Sequence, residues 1–253
     1  MEDIYIFGAG GFGREVAWLV ERINKIKPIW NLKGFIDDDE SLWGALEDDY
    51  KVLGGSEYLK EVKNPWVVCA VGASKTRKAI IEKIQSFVKF ATLIDPDAKI
   101  SDRVEIGEGS IICAGNIITV DIAIGKHNII NLDCTIGHDA VLADYVTLYP
   151  SANISGCTDI GECCELGTGI QIIQGKKIGA CSIVGAGAVV IRDIPENCTA
   201  VGNPAKPIKS KALNKSGGVN HKVVNVFSYE DIPLIYSRLS LTSYEKNTHR
   251  RAA

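Results

Sequence analysis

Counting from Ile94, every sixth residue is Ile, Leu or Val for seventeen successive positions, the last being Val190. A helix repeats at 3.6 residues and a strand at 2, so a strict period of six belongs to neither. The residue two places before the aliphatic is mostly small, as at Ala98, Ser110, Cys134, Ala140, Ala152, Thr158, Cys164, Ser182 and Ala188. Glycine follows the aliphatic seven times, at 107, 125, 137, 161, 167, 179 and 185, which reads as the tight turn easiest for a residue without Cβ. Each hexad is then a short strand and a turn, and three hexads close a triangular coil. The stack is a parallel β-helix. At about 4.8 Å per coil, roughly five to six coils make a prism about 27 Å tall. Lys176 stands where the small-residue column should continue, which predicts a local bulge or an outward rotation near a ligand.

Before the repeat the pattern is different. Residues 4–7 (Ile-Tyr-Ile-Phe) read as a buried strand that runs into Gly8-Ala9-Gly10-Gly11-Phe12-Gly13, and a helix is predicted from 15 to about 24. Residues 33–39 and 66–72 give two more strands, the first ending in Asp37, Asp38 and Asp39, and a second helix spans 74 to about 86. Strands alternating with helices predict a small parallel, Rossmann-like α/β sheet. Gly8, Gly10 and Gly13 fit G-x-G-x-x-G, with Asp37 twenty-odd residues later. Glycine lets amides at a helix N-terminus approach phosphate oxygens. A ligand-free turn and an NAD-type site compete with this reading, but the segment is too short for both mononucleotide halves of a dinucleotide fold. A nucleotide-linked substrate fits better. Its phosphates would lie at Ala9, Gly10 and Gly11, its base or ribose near Asp37 and Asp38, with Gly72 on the same edge. The expected organisation is a nucleotide-sugar-binding α/β domain over 1–90, a β-helix over 91–209, and a tail over 210–253.

Composition narrows the setting. Hydrophobic residues at 46% and charged residues at 23% describe an ordinary soluble globule. A net charge of −3 gives no reason to expect nucleic acid or a membrane as partner. Met1-Glu2-Asp3 is acidic where a signal peptide is basic, and no apolar run approaches the ~18–20 residues of a membrane span. The eight cysteines form no CxxC pair, so they read as reduced packing residues of a cytoplasmic protein, with a disulfide or metal role as the alternative.

The repeat holds two histidines, His127 and His138. His127, in Gly125-Lys126-His127-Asn128, is expected outward on a corner with an ordinary surface role. His138 has Asp139 beside it, Asn131 seven residues earlier on the adjacent face, and Gly156 eighteen residues later, directly above it in the next coil. A base with a backbone N–H one coil away suits acyl transfer. The imidazole takes a proton from the nucleophile while the amide receives the developing oxyanion.

GAGGFGREVA, GFIDDD, AVGASKTRK, NxxxxxGHDA within the hexads, and the closing IVGAGAVVIRDIPENCTAVGNPAKPIK occur in this order. Together they resemble the bacterial sugar O-acyltransferase family, which includes sialic acid O-acetyltransferases and nucleotide-linked 4-amino-sugar N-acetyltransferases. The resemblance extends to about Lys209. It implies a homotrimer of left-handed β-helices, with acetyl-CoA as donor between neighbouring subunits and no metal. On this resemblance His138 is the catalytic base, Asp139 the acid that follows it and Gly156 the oxyanion amide. Thr168 and Ala186 line the CoA arm, with Gly185 in the same set. Ala9, Gly10, Gly11, Asp37, Asp38 and Gly72 match the nucleotide-sugar site. Members often carry a second histidine nine residues after the base, contacting the acetyl group; here it is Thr147, whose hydroxyl donates a hydrogen bond but does not titrate. A frequent histidine of the glycine loop is Phe12 here. The basic residues Lys176, Lys177, Arg192, Lys206, Lys209 and Lys211 gather near the end of the prism. One or two of them, Lys206 among the candidates, would meet the 3′-phosphate of CoA if the cluster is more than a solvated cap.

The expected activity is acetyl-CoA-dependent N-acetylation of a nucleotide-linked 4-amino-4,6-dideoxy sugar for surface glycan or O-antigen synthesis. O-acetylation of sialic acid is the close alternative, and a non-catalytic nucleotide-binding scaffold a more distant one. A γ-type carbonic anhydrase needs three histidines on zinc, which this repeat does not supply. In the tail, residues 228–231 could cap a short helix carrying Ile232, Ile235 and Leu239, and the end over 249–251 looks frayed.

Overall fold

The computed structural model describes residues 1–210, so the tail expectations, and with them Lys211, lie outside the described residues. Strands β1 (Glu2–Phe7), β2 (Trp30–Ile36), β3 (Leu46–Glu47), β4 (Tyr50–Gly54), β5 (Trp66–Cys69) and β6 (Lys89–Phe90) form one sheet in the order β3-β4-β2-β1-β5-β6. All neighbours run parallel except the short edge pair β3–β4. Helices α1 (Gly11–Ile26) and α2 (Ser74–Ile84) pack against it. The central strand reads as an unbroken apolar run because both its faces are covered. Ile4 and Ile6 pack with Val16, Leu19 and Val20 of α1, and Tyr5 and Phe7 pack with Leu59, Ile81 and Ile84. Helix α1 starts within the glycine run, earlier than the expected residue 15.

From 93 onward the chain winds into the expected prism. Each strand pairs in parallel with the one eighteen residues on, as in Ile112↔Ile130, Ile118↔Ile136 and Ile124↔Leu142. These pairings stack as three sheets, here termed the first, second and third faces in that order. The aliphatics from Ile112 upward form one buried column, joined by Cys134, Ala140, Ala152, Cys164 and Ala188. The first coil departs from expectation. Ile94 is 39% exposed, and Ile100 and Ile106 are half-buried, because no coil lies beneath them. At the other end the winding contracts, so that Val184 pairs with Ala200 and Ile178 bridges to Ile194. No bulge occurs at Lys176, since Asp159↔Lys177 and Ile160↔Ile178 keep the full spacing.

The turn lies elsewhere than the glycines suggested. Every sixth residue from 109 to 187 has a positive φ, and this slot follows the buried aliphatic by three residues, not one. It is filled by Asp121, His127, Asp133, Asp139, Tyr145, Ser151, Cys157, Cys163 and Cys181 as well as by glycine. The glycines next to the aliphatics answer to stacking instead. A Cβ on Gly137 would stand 2.6 Å from the Gly156 nitrogen in the coil above.

The α/β layer covers the first face. Leu93, Ile111 and Ile129, which point outward from the prism, are buried in one cluster with Ile4, Ile6 and α1. His127 corrects its expected surface role: it is 5% exposed, edge-on to Phe90 at 4.6 Å and stacked on Tyr145 at 5.4 Å. Burial first, then the Arg77 charge, pushes its pKa down from 6.5 to about 4. Between those values the unfolded chain binds the proton and the folded one does not, so stability falls as pH falls. The loss should begin below the ordinary value near 6.5, grow by about 1.4 kcal/mol per pH unit, and reach roughly 3 kcal/mol near pH 4. His127→Phe should flatten that part of the profile. Urea midpoints of both proteins at several pH values measure this, and unchanged slopes in the variant would exonerate His127.

Candidate active site

His138 stands where the second face turns into the third, immediately after the strand Thr135–Ile136. Its side chain is half-exposed, and Nδ1 lies 2.7 Å from Asp139 Oδ2. Asp139 fills a left-handed turn slot, φ 57°, which Asp tolerates better than most residues. An ionised carboxylate only accepts, so Nδ1 carries the hydrogen and Nε2 keeps its lone pair. The imidazole lies against Gly156. A Cβ there would be 2.6 Å from both Cε1 and Nε2 of the ring, so any larger residue would displace it. Among the described residues the Gly156 N–H, like the His138 N–H one coil below, makes no hydrogen bond. Asn131 does not join this group within the chain. It lies at the opposite end of the second face, with its side-chain oxygen accepting from Leu132 N–H at 2.7 Å.

The glycine loop sits between β1 and α1. Gly8 takes φ 105°, and a Cβ on Gly13 would run into the Gly8 carbonyl, so both are dictated by the strand–helix packing. Gly10 is not, since a Cβ there meets nothing within 4 Å. Gly10 and Gly11 are exposed at a helix N-terminus that no side chain among the described residues caps. Asp37 closes one side: its Oδ2 accepts from Ala9 N–H and its Oδ1 from Asp39 N–H, each at 3.0 Å. Asp38 is committed internally, accepting from Ser56 N–H, Ser56 Oγ and Lys83 Nζ. Partial burial works against its charge, but the Ser56 hydrogen bonds and Lys83 outweigh it and hold the carboxyl below its usual range. Sequence reasoning missed Trp43. This indole is 47% exposed beside the loop, with Nε1–H donating to the Asp37 carbonyl at 2.8 Å.

The sequence profile of the PglD N-terminal domain matches residues 3–84. The chain is also 31% identical over 211 residues to a GDP-perosamine N-acetyltransferase of Escherichia coli O157:H7, an alignment covering 81% of this chain and 95% of that one. The chain belongs to the hexapeptide-repeat sugar acetyltransferases. Two solved members share its fold. PerB from Caulobacter crescentus, in complex with CoA and GDP-perosamine, superimposes with a TM-score of 0.76 at 30% identity, over 83% of this chain and 98% of that one. The acetyltransferase domain of PglB from Neisseria gonorrhoeae FA1090, in complex with acetyl coenzyme A, gives 0.74 at 31% identity, over 82% and 99%.

The remaining residues expected from the family fall in two places. Thr168 and Ala186 are exposed and stack along the edge between the first and second faces, where Gly187 N–H donates to the Thr168 carbonyl. Gly185 is half-buried beside them, and Lys206 is exposed on the strand Lys206–Ser210. Thr147 is not in an open groove. It is 1% exposed, and its hydroxyl donates to the Gly72 carbonyl at 2.7 Å, part of a seam between the α/β layer and the first face. The seam continues through Ser74, whose N–H and hydroxyl both lie 2.9 Å from Glu165 Oε1. Arg77 anchors it. This buried guanidinium donates to the carbonyls of Val71, Gly72, His127, Tyr145 and Val146. In sequence Arg77 is only one basic residue of an amphipathic helix, and nothing there signals its role.

Proposed function

We propose that this chain transfers acetyl from acetyl-CoA to the amine of a nucleotide-linked 4-amino-4,6-dideoxy sugar, in the cytoplasm, for surface polysaccharide synthesis. The observation that carries this reading is the imidazole seated on Gly156, with Asp139 on Nδ1 and the Gly156 amide without a partner among the described residues. His138 Nε2 takes the proton of the attacking amine. The Gly156 N–H receives the charge that gathers on the thioester carbonyl oxygen. Asp139 steadies the imidazolium, which returns the proton to the departing thiolate. The E. coli and Caulobacter relatives, whose names carry GDP-perosamine, support an amine acceptor on a nucleotide sugar.

The acceptor's diphosphate binds at the open amides of Gly10 and Gly11, where glycine leaves room that the protein itself does not use. Asp37 reads the ribose, and Trp43 offers a free aromatic face to the base. A division of labour follows, with residues 1–90 holding the nucleotide and 91–209 carrying the chemistry. His138 and the Thr168–Ala186 edge lie at opposite ends of the second face, and exposed Ile117, Ile173 and Ile191 lie on the face between them. A homotrimer that covers this face sets one copy's His138 against the next copy's Thr168 edge and completes the donor groove.

Thermal shifts with GDP, UDP and dTDP test the pocket, since a ligand at 100 times its Kd stabilises by about 2.7 kcal/mol. One of the three should raise Tm, and Gly10→Val should abolish that rise. Release of CoA is then assayed against 4-amino sugars on the bound nucleotide, with free sialic acid alongside. Turnover on sialic acid alone would overturn the N-acetyl reading.

A further inference from the structure

One neighbour of His138 has no part in the chemistry above. Cys157 fills the left-handed turn slot one coil above Asp139, at φ 56°, and its N–H donates to the His138 carbonyl at 2.7 Å. All eight cysteines are free thiols, six are buried and Cys181 is half-buried, so Cys157 alone is exposed. Nothing in the turn calls for sulfur. Ser151 and Gly175 fill the same slot in other coils, and Asp, Asn and Gly suit this backbone best. What cysteine adds here is a third donor type. One ligand atom each from His138, Asp139 and Cys157 lie within 4.8 Å of one another, and all three side chains are exposed.

We propose that His138, Asp139 and Cys157 form a site for a soft divalent cation of the zinc class, and that its occupancy blocks the transferase. Zinc bonds of about 2.0–2.3 Å in tetrahedral geometry set ligand atoms about 3.5 Å apart, which small rotations of these side chains reach. Nitrogen, oxygen and thiolate sulfur are the donor set that zinc accepts, and a fourth position stays open to water. Coordination takes the imidazole lone pair or the Asp139 carboxylate out of use, so metal and proton transfer compete for the same atoms. Binding displaces the thiol proton to solvent. The site is therefore inhibitory, distinct from a resident catalytic metal. The inhibition rests on the function proposed above; the metal binding does not.

The test uses full-length wild-type protein and Cys157→Ser, a substitution that Ser151 shows the turn to accept. Serine should keep turnover within about twofold and raise the zinc concentration for half-inhibition at least about tenfold, since losing a direct ligand costs no less than the 10–100-fold of an outer-shell partner. EDTA should restore the wild type. Titration with Co²⁺ should give one thiolate-to-metal charge-transfer band per chain, absent from Cys157→Ser. Equal inhibition of both proteins, a wild type uninhibited with cobalt bound, or no thiolate band at saturating Co²⁺ would each overturn the proposal. A chain that acetylates no sugar yet shows the band would overturn the enzymatic reading while keeping the metal site.

Discussion

His138→Ala should lower acetyl transfer by about 10²–10⁴-fold, the contribution of a positioned general base. The fold should survive it. The side chain is half-exposed, and its pair with Asp139 lies at the surface, where such contacts contribute about 0–1 kcal/mol. The loss should therefore fall on kcat, with the nucleotide-induced thermal shift and the melting temperature unchanged, because neither the glycine loop nor the core columns touch this residue. Asp139→Asn should cost less. It keeps the turn slot but removes the charge that fixes the tautomer and steadies the imidazolium. Turnover of His138→Ala within tenfold of wild type would remove the imidazole from the mechanism.

Arg77→Met should be the most destabilising single change in the α/β seam. The carbonyls of Val71, His127 and Tyr145 have no other donor among the described residues. Each buried carbonyl left bare costs about 1–3 kcal/mol, about 3–9 for the three; removing a charge that burial disfavours offsets part of this, and the net loss should be about 3–5 kcal/mol. In a unit of this size, 1 kcal/mol shifts Tm by about 2–4 °C, and a fall of roughly 6–20 °C is expected. Burial lowers the guanidinium pKa, yet several carbonyl oxygens keep its charge satisfied, which a methionine of similar length does not replace. Lysine should rescue only in part, because its ammonium lacks the planar fork that reaches two strands at once. Weaker binding of the nucleotide sugar should accompany the loss, since Arg77 and Thr147 together fix Gly72. A Tm within 2 °C of wild type would show that water or rearrangement replaces these bonds.

The prism could be read from the sequence because its geometry is written in residue counts. A pitch of eighteen turns a sequence interval into a vertical neighbour, and so sets Gly156 over His138. The turn slot escaped because its signal is diluted: left-handed backbone usually advertises itself through glycine, and here Tyr145, Cys163 and others hold it. The true slot and the stacking glycines share the same period, so the spacing alone could not separate them. His127, Thr147 and Arg77 were misjudged or silent for a different reason. What buries them comes from afar, Phe90 over His127 and Gly72 over Thr147, and no local pattern encodes a layer folded back across the prism. The loop at Gly10 was readable because its space is kept by the absence of a side chain.

The left-handed slots have one more consequence. Spaced by one coil, Asp121, Asp139, Cys157 and Gly175 form a vertical file along a single edge, outside both interior columns. Residues in such a file can be exchanged without repacking anything beneath them, whereas a change one or two places along the chain reaches the core. The scaffold thus separates its inheritance: stability is stored inside the triangle, and new chemistry can be drafted down its edges one coil at a time.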